Sequence, residues 1–236
     1  MNKVFFVTKR ELGSYFNSVV AYVVVILFLV ITGSIFWLSY FDEVSVLSMR
    51  GFFNQAPLFL AFFAPAITMG LFATEKRSGT LELLMTMPIS NFQIVMGKFF
   101  AAMILLAVVF AMTLPYPYTL SMLGALDWGA VFAGYAGLML LGATYTAIGL
   151  MASSWTRDQV VAILTAFAIC MFLYLIDQLV GQPTGTAAYI AEYASTSYHF
   201  RSIARGVIEA RNVVYYLSVI GVCLVVTTLS IGARRW

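Results

Sequence analysis

The chain has 236 residues, 62% of them hydrophobic and only 10% charged. Soluble domains are about 45–50% apolar and about 25% charged, so a water-soluble core does not explain the excess, and a mean hydropathy of +0.94 points to a bilayer. A formal net charge of +3 with no basic stripe argues against nucleic acid as a partner.

Residues 1–18 are predicted as an interfacial helix. Phe5, Thr8, Leu12, Tyr15, Phe16 and Val19 recur at helical spacing, with Lys9, Arg10 and Asn17 elsewhere. The first apolar run begins at Val19 and has no Ala-x-Ala-like exit, so it is expected to stay as a membrane anchor. Six spans follow, at about 19–40, 52–73, 99–120, 129–151, 160–180 and 213–231, each near the roughly 20 apolar residues that one crossing needs. Pro57 and Pro65 in the second span, and Pro115 and Pro117 in the third, remove backbone donors and should bend or break those helices. Gly129, Gly134, Gly137, Gly142 and Gly149 in the fourth span suit close helix packing, most economically within one subunit. Cys170 and Cys223 fall inside apolar stretches and read as small core residues.

Lys and Arg set the expected orientation. With the N-terminus inside, Lys3, Lys9, Arg10, Lys76, Arg77, Lys98, Arg157, Arg234 and Arg235 fall on the inner side. Arg50, Arg201, Arg205 and Arg211 fall outside. This nine-to-four asymmetry predicts both termini in the cytoplasm.

The charged interruption at 75–98 is the most informative segment. Leu81, Leu84 and Met85 lie at i, i+3 and i+4, Leu83 and Met87 widen that apolar face, and Glu75, Lys76, Arg77 and Glu82 supply a polar one. Pro88 should end this short helix. Ser90-Asn91-Phe92-Gln93 reads as a capping box that starts the third long helix. By pattern alone the segment is equally a connector resting on the membrane or a docking helix for a cytoplasmic partner.

On the outer side, at 181–212, Phe200, Ile203, Ala204, Val207 and Ile208 form a helical stripe, with Arg201, Arg205 and Glu209 off it. A helix lying on or dipping into the outer leaflet fits this pattern, as a gate or lid. His199 is the sole histidine and has no Cys, Asp or Glu cluster around it, so it is expected to serve as a hydrogen-bonding group, with no metal. No G-x-x-x-x-G-K-[ST] loop, no G-x-S-x-G serine and no paired-carboxylate motif occurs, which argues against catalysis by this chain.

The stretch from Glu75-Lys76-Arg77-Ser78-Gly79-Thr80-Leu81-Glu82-Leu83-Leu84 to Met85-Thr86-Met87-Pro88-Ile89-Ser90 resembles the cytoplasmic signature of ABC-2 type permeases, the membrane subunits of ATP-binding-cassette transporters, and especially their gliding-motility-associated branch. Arg10-Glu11-Leu12 with Tyr15-Phe16 is similar to that family's first helix. Ser197-Tyr198-His199-Phe200 followed by Ala204-Arg205-Gly206-Val207-Ile208 resembles its last outer loop. The likeness runs in order along essentially the whole chain.

The resemblance implies a single all-α polytopic membrane domain over residues 1–236. It would have six transmembrane helices, the N-terminal interfacial helix, a cytoplasmic coupling helix and an outer re-entrant or interfacial helix. Glu75, Arg77, Gly79, Thr80, Glu82 and Leu83 would contact the ATPase, and His199, Phe200, Arg201, Arg205 and Glu209 would belong to the outer gate or lid. It further implies a non-catalytic subunit with no cofactor of its own. ATP and Mg would sit on two copies of a nucleotide-binding partner, beside a second permease copy, identical or related, in the bacterial inner membrane. An envelope accessory protein and membrane lipid complete the expected partners. Three roles stay open: export of a substrate, transmission of force to envelope or motility proteins, and a scaffold without an ATPase.

Overall fold

The structure, a computed structural model, describes residues 3–42, 49–81, 89–179 and 193–233. It is helical, with no strand among the described residues. In chain order the helices are α1 (Lys3–Phe16), α2 (Val19–Asp42), α3 (Arg50–Thr68), α4 (Gly70–Ser78) and α5 (Asn91–Thr113). They continue with α6 (Pro115–Leu123), α7 (Trp128–Trp155), α8 (Gln159–Leu179), α9 (Thr196–Ala204) and α10 (Ala210–Gly232). Six helical segments are long and apolar enough to cross a membrane: α2, α3 with α4, α5 with α6, α7, α8 and α10. The chain is an all-α polytopic membrane protein. The face carrying α1 is called the near side below, and the opposite face the far side.

The fourth span, α7, is the hub, packing against α3, α5, α8, α9 and α10. In its membrane window 72% of the residues are buried, against 17% for the first and fifth spans, which lie at the periphery. Its glycines explain this position. A Cβ on Gly142 would collide with Leu106, and one on Gly149 with Thr68, while Gly134 faces the Phe53 ring. Lipid supplies no hydrophobic push between helices, so close approach and shape hold them together. The stripe is therefore used up inside the subunit.

Proline and glycine act unequally in the second span. Pro57 sits inside an unbroken α3. The break comes at Met69, one turn after Pro65 and just before Gly70. Ser153 of α7 fills it: its Oγ accepts from the Phe72 and Ala73 N–H groups, each at 3.1 Å, and donates to the Met69 carbonyl at 2.8 Å. Met69 itself keeps helical dihedrals, φ −52° and ψ −37°, and amides left open inside an apolar bundle are tolerated only when protein satisfies them. In the third span the break falls at Leu114, and Pro115 opens α6 at the first helical position, where its missing N–H costs nothing.

α5 begins at Asn91, well before the apolar run, because the capping box is formed. Ser90 Oγ accepts from Gln93 N at 3.3 Å, and Gln93 Oε1 accepts from Ser90 N at 3.2 Å. Together α5 and α6 cover 33 residues. That is about 50 Å of helix against a hydrocarbon core of about 30 Å, so this span projects beyond the membrane.

α1 differs from its expected amphipathic face. Val7, Thr8 and Glu11 are buried, while Phe5, Phe6 and Phe16 point outward. Gly97 of α5 is the reason. Its bare backbone lets α1 approach until Val7 Cβ stands 2.6 Å from where a Gly97 Cβ would be, and Thr8 Oγ1 donates to the Gly97 carbonyl at 3.1 Å. The helix is thus docked on protein through one face and leaves its phenylalanines exposed.

Replacing Ser153 with alanine strands two amide donors and a carbonyl. It is expected to lower stability by about 1–2 kcal/mol, measured by reversible unfolding in detergent, and Gly149→Leu should cost more because α7 and α3 can no longer meet.

Candidate functional site

The described charged residues of the signature after the second span lie on one helix. Glu75, Lys76 and Arg77 belong to α4, which continues the span to Ser78 and stops at Gly79 in the left-handed conformation, φ 73°. They are therefore not the polar side of a separate helix running through Leu84. A left-handed residue ends the helix, and glycine adopts that conformation without a steric penalty. The expected helix of Leu83, Leu84, Met85 and Met87, its stop at Pro88, and the sites Glu82 and Leu83 lie outside the described residues.

Glu75 is half-buried and sits in an ion-pair cluster. Its Oε1 lies 2.9 Å from Arg10 Nη2 and 2.9 Å from Lys98 Nζ. Glu11 Oε1 lies 2.5 Å from the same arginine nitrogen and 3.2 Å from Lys98 Nζ. Two cations and two carboxylates thus form one balanced cluster joining α1, α4 and α5. The Lys98 side chain is fully buried and sits 5.1 Å above the Phe72 ring. Its contacts are ion-pair contacts without the alignment of a hydrogen bond, and Glu75 Oε2 is buried with no hydrogen-bond partner among the described residues. Burial lowers the basicity of Arg10, but Glu11 and then Glu75 outweigh it and hold the guanidinium above its ordinary value. Burial, and secondarily Glu11, push the Tyr15 phenol well above its ordinary value, and its neutral O–H donates to the Ile67 carbonyl at 3.0 Å beside the break in the second span.

Lys76 is buried on the other flank, and its ammonium donates to the Ser154 carbonyl in the last turn of α7. A cation there also complements the negative end of the helix dipole. Arg77, Ser78, Gly79 and Thr80 are exposed. Thr80 Oγ1 lies 2.8 Å from Ser78 Oγ and bonds back to the α4 terminus. The exposed strip is thus rooted by Glu75 on one side and Lys76 on the other. Beside it a cleft of about 450 Å³ opens between α1, the start of α2, the α3–α4 break and the start of α8, with Ser18, Thr74 and Gln159 on its polar side and Val24, Leu71 and Leu105 on its apolar side.

On the far side α9 runs antiparallel to the first half of α7. Its start touches Tyr145, its middle meets Gly137 through Phe200 and Ile203, and Gly206 lies over Ala130. Fifteen helical residues separate Ala130 from Tyr145, about 22 Å, so α9 reaches well into the bundle. The expected stripe is cut short. The helix stops at Ala204, Gly206 turns at φ 92°, and Val207 and Ile208 are exposed. Phe200 and His199 are buried, whereas Arg201 and Arg205 are exposed. Glu209 precedes α10 and is ion-paired with Arg211.

The sequence places Arg10 on the polar face of the first helix and counts Arg10 and Lys98 among the inner-side cations, without pairing either with Glu11 or Glu75. A lysine seven residues into an otherwise apolar helix was the available signal, since such a charge needs a partner. Ser153 and Asn212 carried none. Among the described residues no group of three His, Cys, Asp or Glu side chains could hold a metal ion.

These features define a six-span membrane subunit with a charge-bound near side and a short helix tucked into its far side. A family model described as ABC-2 family transporter protein matches residues 40–233. The chain belongs to that family and is a permease component of an ATP-binding-cassette system. No curated protein matches it.

Removing one member of the cluster leaves a buried charge uncompensated. Lys98→Ala should cost about 3–5 kcal/mol. The double variant Glu11→Leu with Lys98→Met should recover part of that loss, read as thermal stability of the purified subunit.

Proposed function

We propose that this subunit couples ATP hydrolysis on a separate ATPase to movement of a substrate out across the inner membrane. The observation that carries the reading is the exposed strip Arg77–Thr80, rooted through Glu75 and Lys76 in three helices. A load applied to that strip is delivered to α1, α5 and α7 together. Glu82 and Leu83 follow it in sequence and would extend the contact, with Glu75 acting from within. The family pairs with an ABC ATPase. Two ATPase copies carrying ATP and Mg, and a second permease copy, complete the proposed assembly. The Lys and Arg asymmetry supports a near side, and both termini, in the cytoplasm. In that orientation α9, with His199, Phe200, Arg201, Arg205 and Glu209 on or beside it, belongs to the outer gate. The signature around 75–90 supports kinship with the gliding-motility branch, in which the output would be force on envelope partners.

Coupling requires that ATP favour one permease conformation over another. The double variant Glu82→Ala with Leu83→Ala, and Arg77→Ala alone, are expected to leave membrane insertion unchanged. Each should break the dependence of ATP turnover on the permease in a reconstituted complex. Full assembly with unaltered turnover and output in these variants would overturn the coupling assignment. Accumulation in sealed vesicles supports export; turnover governed by an envelope protein without accumulation supports force transmission.

A further inference from the structure

His199 is fully buried at the seam between α9 and α10. Its Nδ1 lies 2.7 Å from Asn212 Oδ1, and its Nε2 lies 3.0 Å from the Tyr193 carbonyl oxygen. Asn212 Nδ2 is buried with no hydrogen-bond partner among the described residues.

A neutral imidazole has one N–H and one bare nitrogen. Facing two oxygens that can only accept, it satisfies one contact and sets lone pair against lone pair in the other. Two arrangements remove the conflict. In the first the ring carries two protons and donates to both oxygens, leaving Asn212 Nδ2 unpaired. In the second the Asn212 amide is turned by half a revolution. Its Nδ2–H then donates to bare Nδ1, the ring donates from Nε2 to the Tyr193 carbonyl, and the amide oxygen takes the unpaired place. Each arrangement satisfies both ring nitrogens and leaves one amide atom without a partner, and the two differ by a single proton.

Aromatic side chains enclose the ring. Tyr215 stacks on the ring at 4.1 Å and 23°, and Tyr193, Tyr198 and Tyr216 approach it edge-on. On the two seam helices the charged residues are Arg201 of α9 and Arg211 of α10, with Arg211 paired to Glu209; Arg50 opens α3 and Asp177 stands on α8, both of which pack against α9. The same seam holds α9. Tyr215 O–H donates to the Ala194 carbonyl at 2.5 Å, and Tyr216 O–H to the Thr196 carbonyl at 2.8 Å.

We propose that His199 and Asn212 form a proton-binding site on the far face, in which uptake of one proton by the ring is coupled to rotation of the Asn212 amide. The proton comes from the far-side aqueous phase and no other bond changes, so the charge of the seam rises by one.

Because His199 is the only histidine in the chain, full-length protein labelled with 15N-histidine in lipid nanodiscs gives one imidazole spectrum. From about pH 9 to about pH 5, a window around the ordinary histidine range, the expected result is a passage from one protonated ring nitrogen, Nε2, to two. Asn212→Asp keeps an acceptor on Nδ1 and has no N–H to offer, so it should move the midpoint up by about one pH unit or more. A ring that holds one proton throughout overturns the proposal, as does a titration whose midpoint Asn212→Asp leaves unmoved. Neither result depends on the ATPase assignment.

Discussion

The Glu75 carboxylate, held between Arg10 and Lys98, is the interaction on which the near side depends. A lysine buried to zero exposure on an apolar helix is tolerated only if opposite charge meets it inside the protein. That requirement brings α1 and α4 against α5 at one point. It also fixes the direction in which the chain leaves the second span, because Gly79 follows one turn later. The exposed strip beyond it is held by its root rather than by its own packing.

The bundle answers the same demand by different means along its depth. In the last turn of α7, Ser153 supplies a side-chain partner to the amides of the second span just after Met69. On the near side, the end of α7 receives Lys76 and the Ser230 hydroxyl of α10 at one carbonyl, that of Ser154. On the far side, α7 and α10 receive α9 through tyrosine hydroxyls and the His199–Asn212 contact. These two helices connect the charged end to the buried histidine.

Much of this was legible in the sequence. Hydropathy marked six spans, and Ser90 with Gln93 marked where α5 starts. The glycines of the fourth span announced close packing, and Glu75-Lys76-Arg77 announced a surface interruption. The proline signals were readable only in part. Pro115 marks a helix start, whereas Pro57 leaves α3 unbroken, since a kink depends on whether neighbours resupply the lost hydrogen bond.

What the sequence determined by itself was set by local chemistry: the apolar length that crosses a bilayer, the caps that begin helices, and the residues whose backbone ends them. Only the tertiary structure decided which charges face each other. Arg10 and Glu75 are 65 residues apart, and Lys76 and Ser154 are 78 apart. A one-dimensional pattern shows that a buried lysine needs a partner without saying which helix supplies it. The same holds for the stripe at 200–208, whose period is helical but whose continuation is stopped by Gly206 over Ala130. Pairing is settled by which surfaces approach closely enough for ion pairs and hydrogen bonds to form, and that is a property of the packed bundle.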